Sequence, residues 1–359
     1  DAQATPEAIS ARWCGNLAEL HRFEDNLAPA DILDKIHTAA TRYIAGRSAL
    51  FAERISDRWI IDGHGDLLAD DIFCMESGPV LLDCLEFDDR LRYVDGMDDA
   101  AFLAMDVEFL GRQDLAEYFL DAYSYSARDH APISLRHFYI AYRAVVRAKV
   151  DCMRFAQGNA DAKTDAPSHL SLALEHLRSG TVRLVLVGGA PGTGKTTLAH
   201  ALADQVGAEV TSTDDVRRDL QLRGAIDGTP GSLDAGLYEP DKVDAVYRET
   251  IERAKKLLAH GQSVILDATW RDPRRRHLAK QLATETMSTF LEIACWTSDD
   301  VAVERVRSRS PESTSEVTPL IAKELTLRDD DWNTAHLIDT AQALPDCVDQ
   351  AEKLWDMAI

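Results

Sequence analysis

Basic residues are scarce in this chain: 39 Lys and Arg stand against 61 Asp and Glu, a formal net charge of -22 with a pI near 4.8. So acidic a protein opposes non-specific attraction to nucleic-acid phosphates and to anionic membrane surfaces, which points to small-molecule partners. No apolar run approaches the roughly 20 residues needed to cross a bilayer, and the first 30 residues hold no basic segment followed by an apolar core. A membrane span and a secretory leader of that kind are therefore not expected. The six cysteines (Cys14, Cys74, Cys84, Cys152, Cys295, Cys347) are scattered without a C-x-x-C pair, and no histidines cluster at metal-ligand spacing. Reduced thiols in a cytoplasmic protein are the expectation, rather than a disulfide framework or a zinc module. Repeats and long low-complexity tracts are absent as well. With 359 residues, 45% of them hydrophobic, there is material for two packed cores.

The apolar residues fall into two textures. Up to about residue 156, long segments repeat at helical spacing: 29–55, 98–123 and 133–156. The convincing strands of this part flank HGDLLADDIF, residues 64–73. A polar break, QGNADAKTDAPSH, follows at 157–169. Beyond it, short β-rich runs (VRLVLVGG, AEVTST, SVILDAT, FLEIACW, HLIDT) alternate with helical segments, which implies crossover connections and a five-stranded parallel sheet covered on both faces. The expected division is 1–160, a linker and helix at 161–180, and 181–359.

Residues 189–196 read GAPGTGKT, between an apolar strand and a helical segment. In the pattern G-x-x-x-x-G-K-[ST], glycines let successive backbone N–H groups turn toward phosphate oxygens, and the helix N-terminus adds its positive end. Gly189, Ala190, Pro191, Gly192, Thr193, Gly194, Lys195, Thr196 and Thr197 are the expected nucleotide cradle. Lys195 would meet the β- and γ-phosphates, and the Thr196 hydroxyl a Mg²⁺ ion. Asp214, after the next strand, is placed to accept a proton from an acceptor hydroxyl, although Asp214 or Asp215 could equally cap a helix beginning at Val216. Asp267 closes a third apolar strand, where a carboxylate would support the metal. Arg305 and Arg309 precede a Ser/Pro/Glu segment and read as a lid that brings guanidinium groups over phosphate.

HGDLLADDIF poses a second question. A His-x-Asp loop in kinase logic supplies an aspartate that orients a hydroxyl, with a metal ligand five residues on. Asp66 and Asp71 take these slots, and Asp83, ending PVLLD, suits a second metal carboxylate. An acidic hairpin would give the same charges without accounting for His64 and Gly65. This stretch, followed by LLDCLEFDDRLRYVDGMDDAAFLAMD, resembles the carboxyl-terminal lobe of the aminoglycoside phosphotransferase-like superfamily. GAPGTGKTT, STDDVRRDL, VILDAT and ERVRSR resemble small-molecule P-loop kinases and zeta-toxin or polynucleotide-kinase relatives, and fusions of the two kinds are known.

The resemblance implies an α/β protein: a mostly helical phosphotransferase (protein-kinase-like) lobe, then a P-loop kinase domain. Leu68 stands where the superfamily carries His, and Asp71 where it carries Asn, which adds negative charge beside phosphate. It also implies an upstream lobe with a nucleotide-binding lysine, yet Lys35, the sole lysine before Asp66, lies in a helical pattern. The chain, starting at Asp1, is therefore expected to be part of a longer one, with ATP held by the second domain. The expected activity is ATP- and Mg²⁺-dependent phosphoryl transfer to a small hydroxylated acceptor. The alternatives are a nucleotide switch or scaffold and a 5'-hydroxyl polynucleotide kinase.

Overall fold

The computed structural model describes residues 2–23, 27–86, 88–229, 235–308 and 332–358. Its contacts divide the chain into two compact units, Asp1–Thr181 and Val182–Ile359. The segment 161–180, expected as linker and helix, is helix from Ala162 to Ser179 and falls in the first unit.

The first unit is mostly helical. Its elements are α1 (Pro6–Leu20), α2 (Ala30–Gly46), α3 (Ser48–Ser56), β1 (Ile60–Asp62), β2 (Ile72–Met75), β3 (Gly78–Leu81), the single turn α4 (Asp89–Arg92), β4 (Tyr93–Asp95), α5 (Gly96–Phe109), α6 (Gln113–Ala127), α7 (Ile133–Ala156) and α8 (Ala162–Ser179). Thr5 caps α1 by accepting from the Ala8 N–H at 3.2 Å, with Pro6 pre-set at the first helical position. The α7 segment read as helix from its apolar spacing is helix over that same range, and it carries Phe138 into a cluster with Trp13, Tyr43 and Phe51. Tyr43 stacks on Phe138 with ring centroids 4.5 Å apart. The strands form two antiparallel pairs, β1 with β4 and β2 with β3, and the segment 63–71 joins one pair to the other.

The second unit consists of β5 (Arg183–Gly188), α9 (Lys195–Val206), β6 (Glu209–Ser212), α10 (Thr213–Leu222), α11 (Pro240–Ala259), β7 (Val264–Asp267), α12 (Pro273–Glu285), β8 (Thr289–Trp296), α13 (Asp299–Arg307), β9 (His336–Asp339) and α14 (Leu344–Met357). The five strands form one parallel sheet in the order β6-β7-β5-β8-β9. All six residues of β5 are buried, as a central strand covered on both faces requires. The chain leaves β5 toward β6 on one side and later passes to β8 on the other. Such a reversal of winding opens a crevice at the carboxyl ends of the strands. The apolar core of Val185, Val187, Leu198, Leu202, Ile265 and Ile293 fixes β5 and α9, hence the turn between them.

Candidate active site

That turn is the phosphate loop. Gly189 and Gly192 have φ of +144° and +88°, a region that favours glycine. A Cβ on Gly189 would meet the Cys295 carbonyl and stand 2.6 Å from the Thr193 hydroxyl, and one on Gly192 would run into the Ala302 carbonyl. Both positions therefore need glycine for space as well as for conformation. Helix α9 begins at Lys195, so Lys195, Thr196 and Thr197 occupy its first turn and their free N–H groups face outward at its positive end.

Thr196 Oγ1 donates to Asp267 Oδ2 at 2.7 Å. Asp267 is 2% exposed, and its Oδ1 is buried with no hydrogen-bond partner. Burial and then the Asp214 charge push its carboxyl above the ordinary range, while the Lys195 charge and the Thr196 and Ser212 hydroxyls pull it back. The loop lysine, its neighbouring hydroxyl and the strand-end carboxylate, read separately from the sequence, thus meet in one place.

Asp214 lies nearby, close enough for its charge to act on Asp267. The capping alternative does not hold: α10 starts at Thr213 rather than Val216, and Ser212 is its N-cap, with Ser212 Oγ accepting from the Asp214 N–H at 3.2 Å. Asp214 and Asp215 fall in the first turn, and Asp214 Oδ1 accepts from Arg217 at 2.6 Å. A serine competing with two aspartates for one cap cannot be ranked from sequence alone.

Arg305 is not poised over open space. It donates to the Thr340 carbonyl at 2.8 Å and to the Thr340 hydroxyl at 3.3 Å, and that hydroxyl donates to the Thr193 carbonyl at 2.6 Å. The chain of contacts ties α13 to the phosphate loop. Thr340, only 7% exposed, carried no signal in the sequence, since a threonine just after a strand is ordinary. Arg309 lies outside the described residues.

In the first unit, Asp66, Asp71 and Asp83 are placed differently. Asp66 is half-buried, and burial raises its carboxyl pKa against the opposing charges of Arg147 and Arg143. Asp71 Oδ2 accepts from the Leu68 N–H at 3.3 Å, a local turn bond. Asp83 is exposed, with a left-handed φ of 61°. Among the described residues no three His, Cys, Asp or Glu side chains gather as a metal-holding group, so these three aspartates are not drawn together as one.

The loop itself is firmly held. Both oxygens of Asp99 accept from the His64 and Gly65 N–H groups at 2.8 Å, while Arg143 donates to the Gly65 carbonyl at 3.1 Å and to Asp98 at 2.7 Å. Arg143 is 5% exposed and is held in the core by this pairing with the acidic Asp98. Lys35 lies exposed on α2 and pairs with Asp31 one turn before it.

Comparison with known proteins matches residues 184–324 to the AAA domain family. Across all 359 residues the chain is 52% identical to the Mycobacterium tuberculosis protein Rv2004c and to Mb2027c of Mycobacterium bovis, covering 72% of each. Solved structures similar to part of the chain include a putative kinase from Chloroflexus aurantiacus (22% identity, TM-score 0.39, covering 48% of this chain and 98% of that one). A gluconokinase from Sinorhizobium meliloti is another (17% identity, TM-score 0.36, covering 49% and 93%).

Proposed function

The chain belongs to the family of the mycobacterial proteins Rv2004c and Mb2027c, and we propose that its second unit transfers the γ-phosphoryl group of ATP to a small hydroxylated acceptor. The observation that carries this reading is the Thr196–Asp267 pair at 2.7 Å beneath the phosphate loop, with one Asp267 oxygen buried and unpartnered. A buried carboxylate oxygen without a donor costs free energy unless something satisfies it. A hard cation with few protein ligands suits this place, because Mg²⁺ takes one or two protein oxygens and fills its shell with phosphate and water. Thr196 and Asp267 would hold it, and when bound it would neutralise charge on the phosphates.

The remaining roles fall to side chains already placed. The loop N–H groups and Lys195 bind the β- and γ-phosphates. The acceptor hydroxyl oxygen attacks the γ-phosphorus as the bond to the β–γ bridging oxygen breaks, and ADP leaves. Asp214, beside Asp267, takes the hydroxyl proton, and Arg217 keeps its carboxylate oriented. Arg305 holds α13 against the loop through Thr340 rather than acting on phosphate directly.

A second centre in the first unit is favoured by one observation: the backbone on either side of Asp66 is fixed by Asp99 and Arg143, as a loop that must hold a carboxylate in place would be. In the aminoglycoside phosphotransferase-like reading Asp66 orients a hydroxyl, and this second centre is proposed on Asp66 alone, since Asp71 and Asp83 are not gathered with it as a metal-holding group. Incubation of the chain with Mg-ATP and a pool of sugars, aminoglycosides, nucleosides and RNA ends, followed by acceptor mass, tests both. Lys195→Ala is expected to abolish transfer and Asp66→Ala to retain it. The opposite pattern moves the activity to the first unit, and nucleotide binding without transfer to any acceptor supports a switch. Phosphate appearing on RNA ends supports a polynucleotide kinase.

A further inference from the structure

A cavity of about 540 Å³ opens at the carboxyl edge of the sheet in the second unit. It reaches the phosphate loop at Gly189, Ala190 and Thr193, but not at Lys195, Thr196 or Thr197, where the nucleotide's phosphates and the metal belong. Its other walls are the ends of β7 and β8 and the start of α13. The cavity therefore adjoins the part of the phosphate loop that precedes Lys195.

Its lining is unusual for so acidic a chain. The described lining residues include two arginines, Arg271 and Arg276, and one carboxylate, Asp299, and the N-terminus of α13 adds positive potential through Thr297, Asp299 and Ala302. Arg276 is locked: it donates to the carbonyls of Trp270 and Arg271 at 2.7 and 2.9 Å, with its guanidinium 5.4 Å from the Trp332 ring centre. A fixed guanidinium loses little freedom when it meets an anion. Thr297 Oγ1 is buried without a hydrogen-bond partner. Trp296, 49% exposed, and Trp332 supply apolar ring surface in the wall. Among the described residues neither is paired with another ring, so a flat base would not be sandwiched here, whereas the C–H face of a saturated ring could lie on one indole.

Resting on the phosphotransferase reading above, we propose that this cavity is the acceptor site and takes a small polyhydroxylated ring compound bearing one anionic group, a carboxylate or a phosphate. The anion meets Arg271 and Arg276, the ring lies on Trp296, and Thr297 and Asp299 bond its hydroxyls. The reactive hydroxyl is presented at the Gly189–Thr269 mouth, toward Asp267 and Asp214.

The test uses the whole chain and tryptophan fluorescence, with glucuronate, glucose 6-phosphate, glucose and benzoate as probes, and a fluorescent ATP analogue with Mg²⁺ titrated separately. Glucuronate or glucose 6-phosphate should bind roughly tenfold tighter than either glucose or benzoate, the size expected of a charge-assisted contact. Which of the two binds tells carboxylate from phosphate. Arg271→Gln should remove most of that preference with nucleotide affinity unchanged. Thr297→Val, a nearly isosteric change, should weaken glucose and glucuronate alike. Equal binding of glucose, tighter binding of benzoate, or no response to any probe while the nucleotide binds would overturn the acceptor assignment alone. Failure of the nucleotide to bind would instead overturn the phosphotransferase reading.

Discussion

Asp267 shows how a single residue can oppose stability and function. Its carboxyl is raised above the ordinary 3.8 by burial first, with Lys195 and Thr196 offsetting only part of the cost. The folded state therefore binds this proton more tightly than the unfolded chain, and stability falls as pH rises from 3.8 through the raised value. Above that raised value the ionised group is a net liability. Asp267→Asn should raise the melting temperature, by about 2–4 °C for each kcal/mol relieved, while lowering transfer at least ~100-fold. A lower melting temperature would show that Lys195 and Thr196 more than compensate for burial. At this scale the sequence was informative: GAPGTGKT and the strand-end Asp267 were legible because a phosphate loop is a local motif. Ser212 as cap was not, because three neighbouring side chains compete for one local cap, and Thr340 as the tie to Arg305 was not, because it depends on what a distant segment places beside it.

Between elements, buried polar contacts do the joining. Arg54 on α3 pairs with Asp95, which also caps α5, and with Asp129, which caps the turn before α7; all three are 4% exposed or less. Removing the cation leaves two carboxylates in the core. Arg54→Leu is expected to destabilise the first unit by about 3–5 kcal/mol in urea unfolding. Arg54→Leu combined with Asp95→Asn and Asp129→Asn should recover much of the loss; an equal loss in all forms would point to packing instead.

A second joint links α7, α8 and α5. His137 Nδ1 lies 2.8 Å from His176 Nδ1, and His176 Nε2 lies 3.0 Å from Glu108. Burial, then the His176 and Arg136 charges, push His137 down to about 3 from 6.5. The unfolded chain takes up this proton first, so stability is full above pH 6.5 and is lost as pH falls toward 3. His137→Gln should flatten the decline of the urea midpoint across that range; an unchanged slope would assign the acid sensitivity to other groups. Apolar spacing found α7 in the sequence, but nothing in the spacing shows that two histidines 39 residues apart share a hydrogen bond.

For the whole molecule, two compact units predict two unfolding steps. A nucleotide binding the second unit alone, at about a hundred times its Kd, should stabilise that unit by about 2.7 kcal/mol. Scanning calorimetry with Mg-ADP should therefore shift one transition upward and leave the other in place. Movement of both together would show that the units unfold as one. With a net charge of -22, single-stranded RNA is expected not to bind at physiological salt, which a filter-binding titration would check.

The sequence by itself determined the helical texture of the first unit, the five parallel strands of the second and the phosphate loop between β5 and α9. Each depends on local periodicity or on a short motif with its own backbone chemistry. Tertiary structure alone decided the rest. The helix α8 that follows the polar break at 157–169 groups with the first unit because it packs against α7, and the division falls after Thr181. Arg143 sits in the core because Asp98 and the Gly65 carbonyl partner it there. Asp267 faces Thr196 from 71 residues away because strand order β7-β5 sets their elements side by side. Burial and pairing across a sheet are non-local, so the charge, hydrogen-bond partner and proton affinity of each functional group were fixed only once the chain had folded.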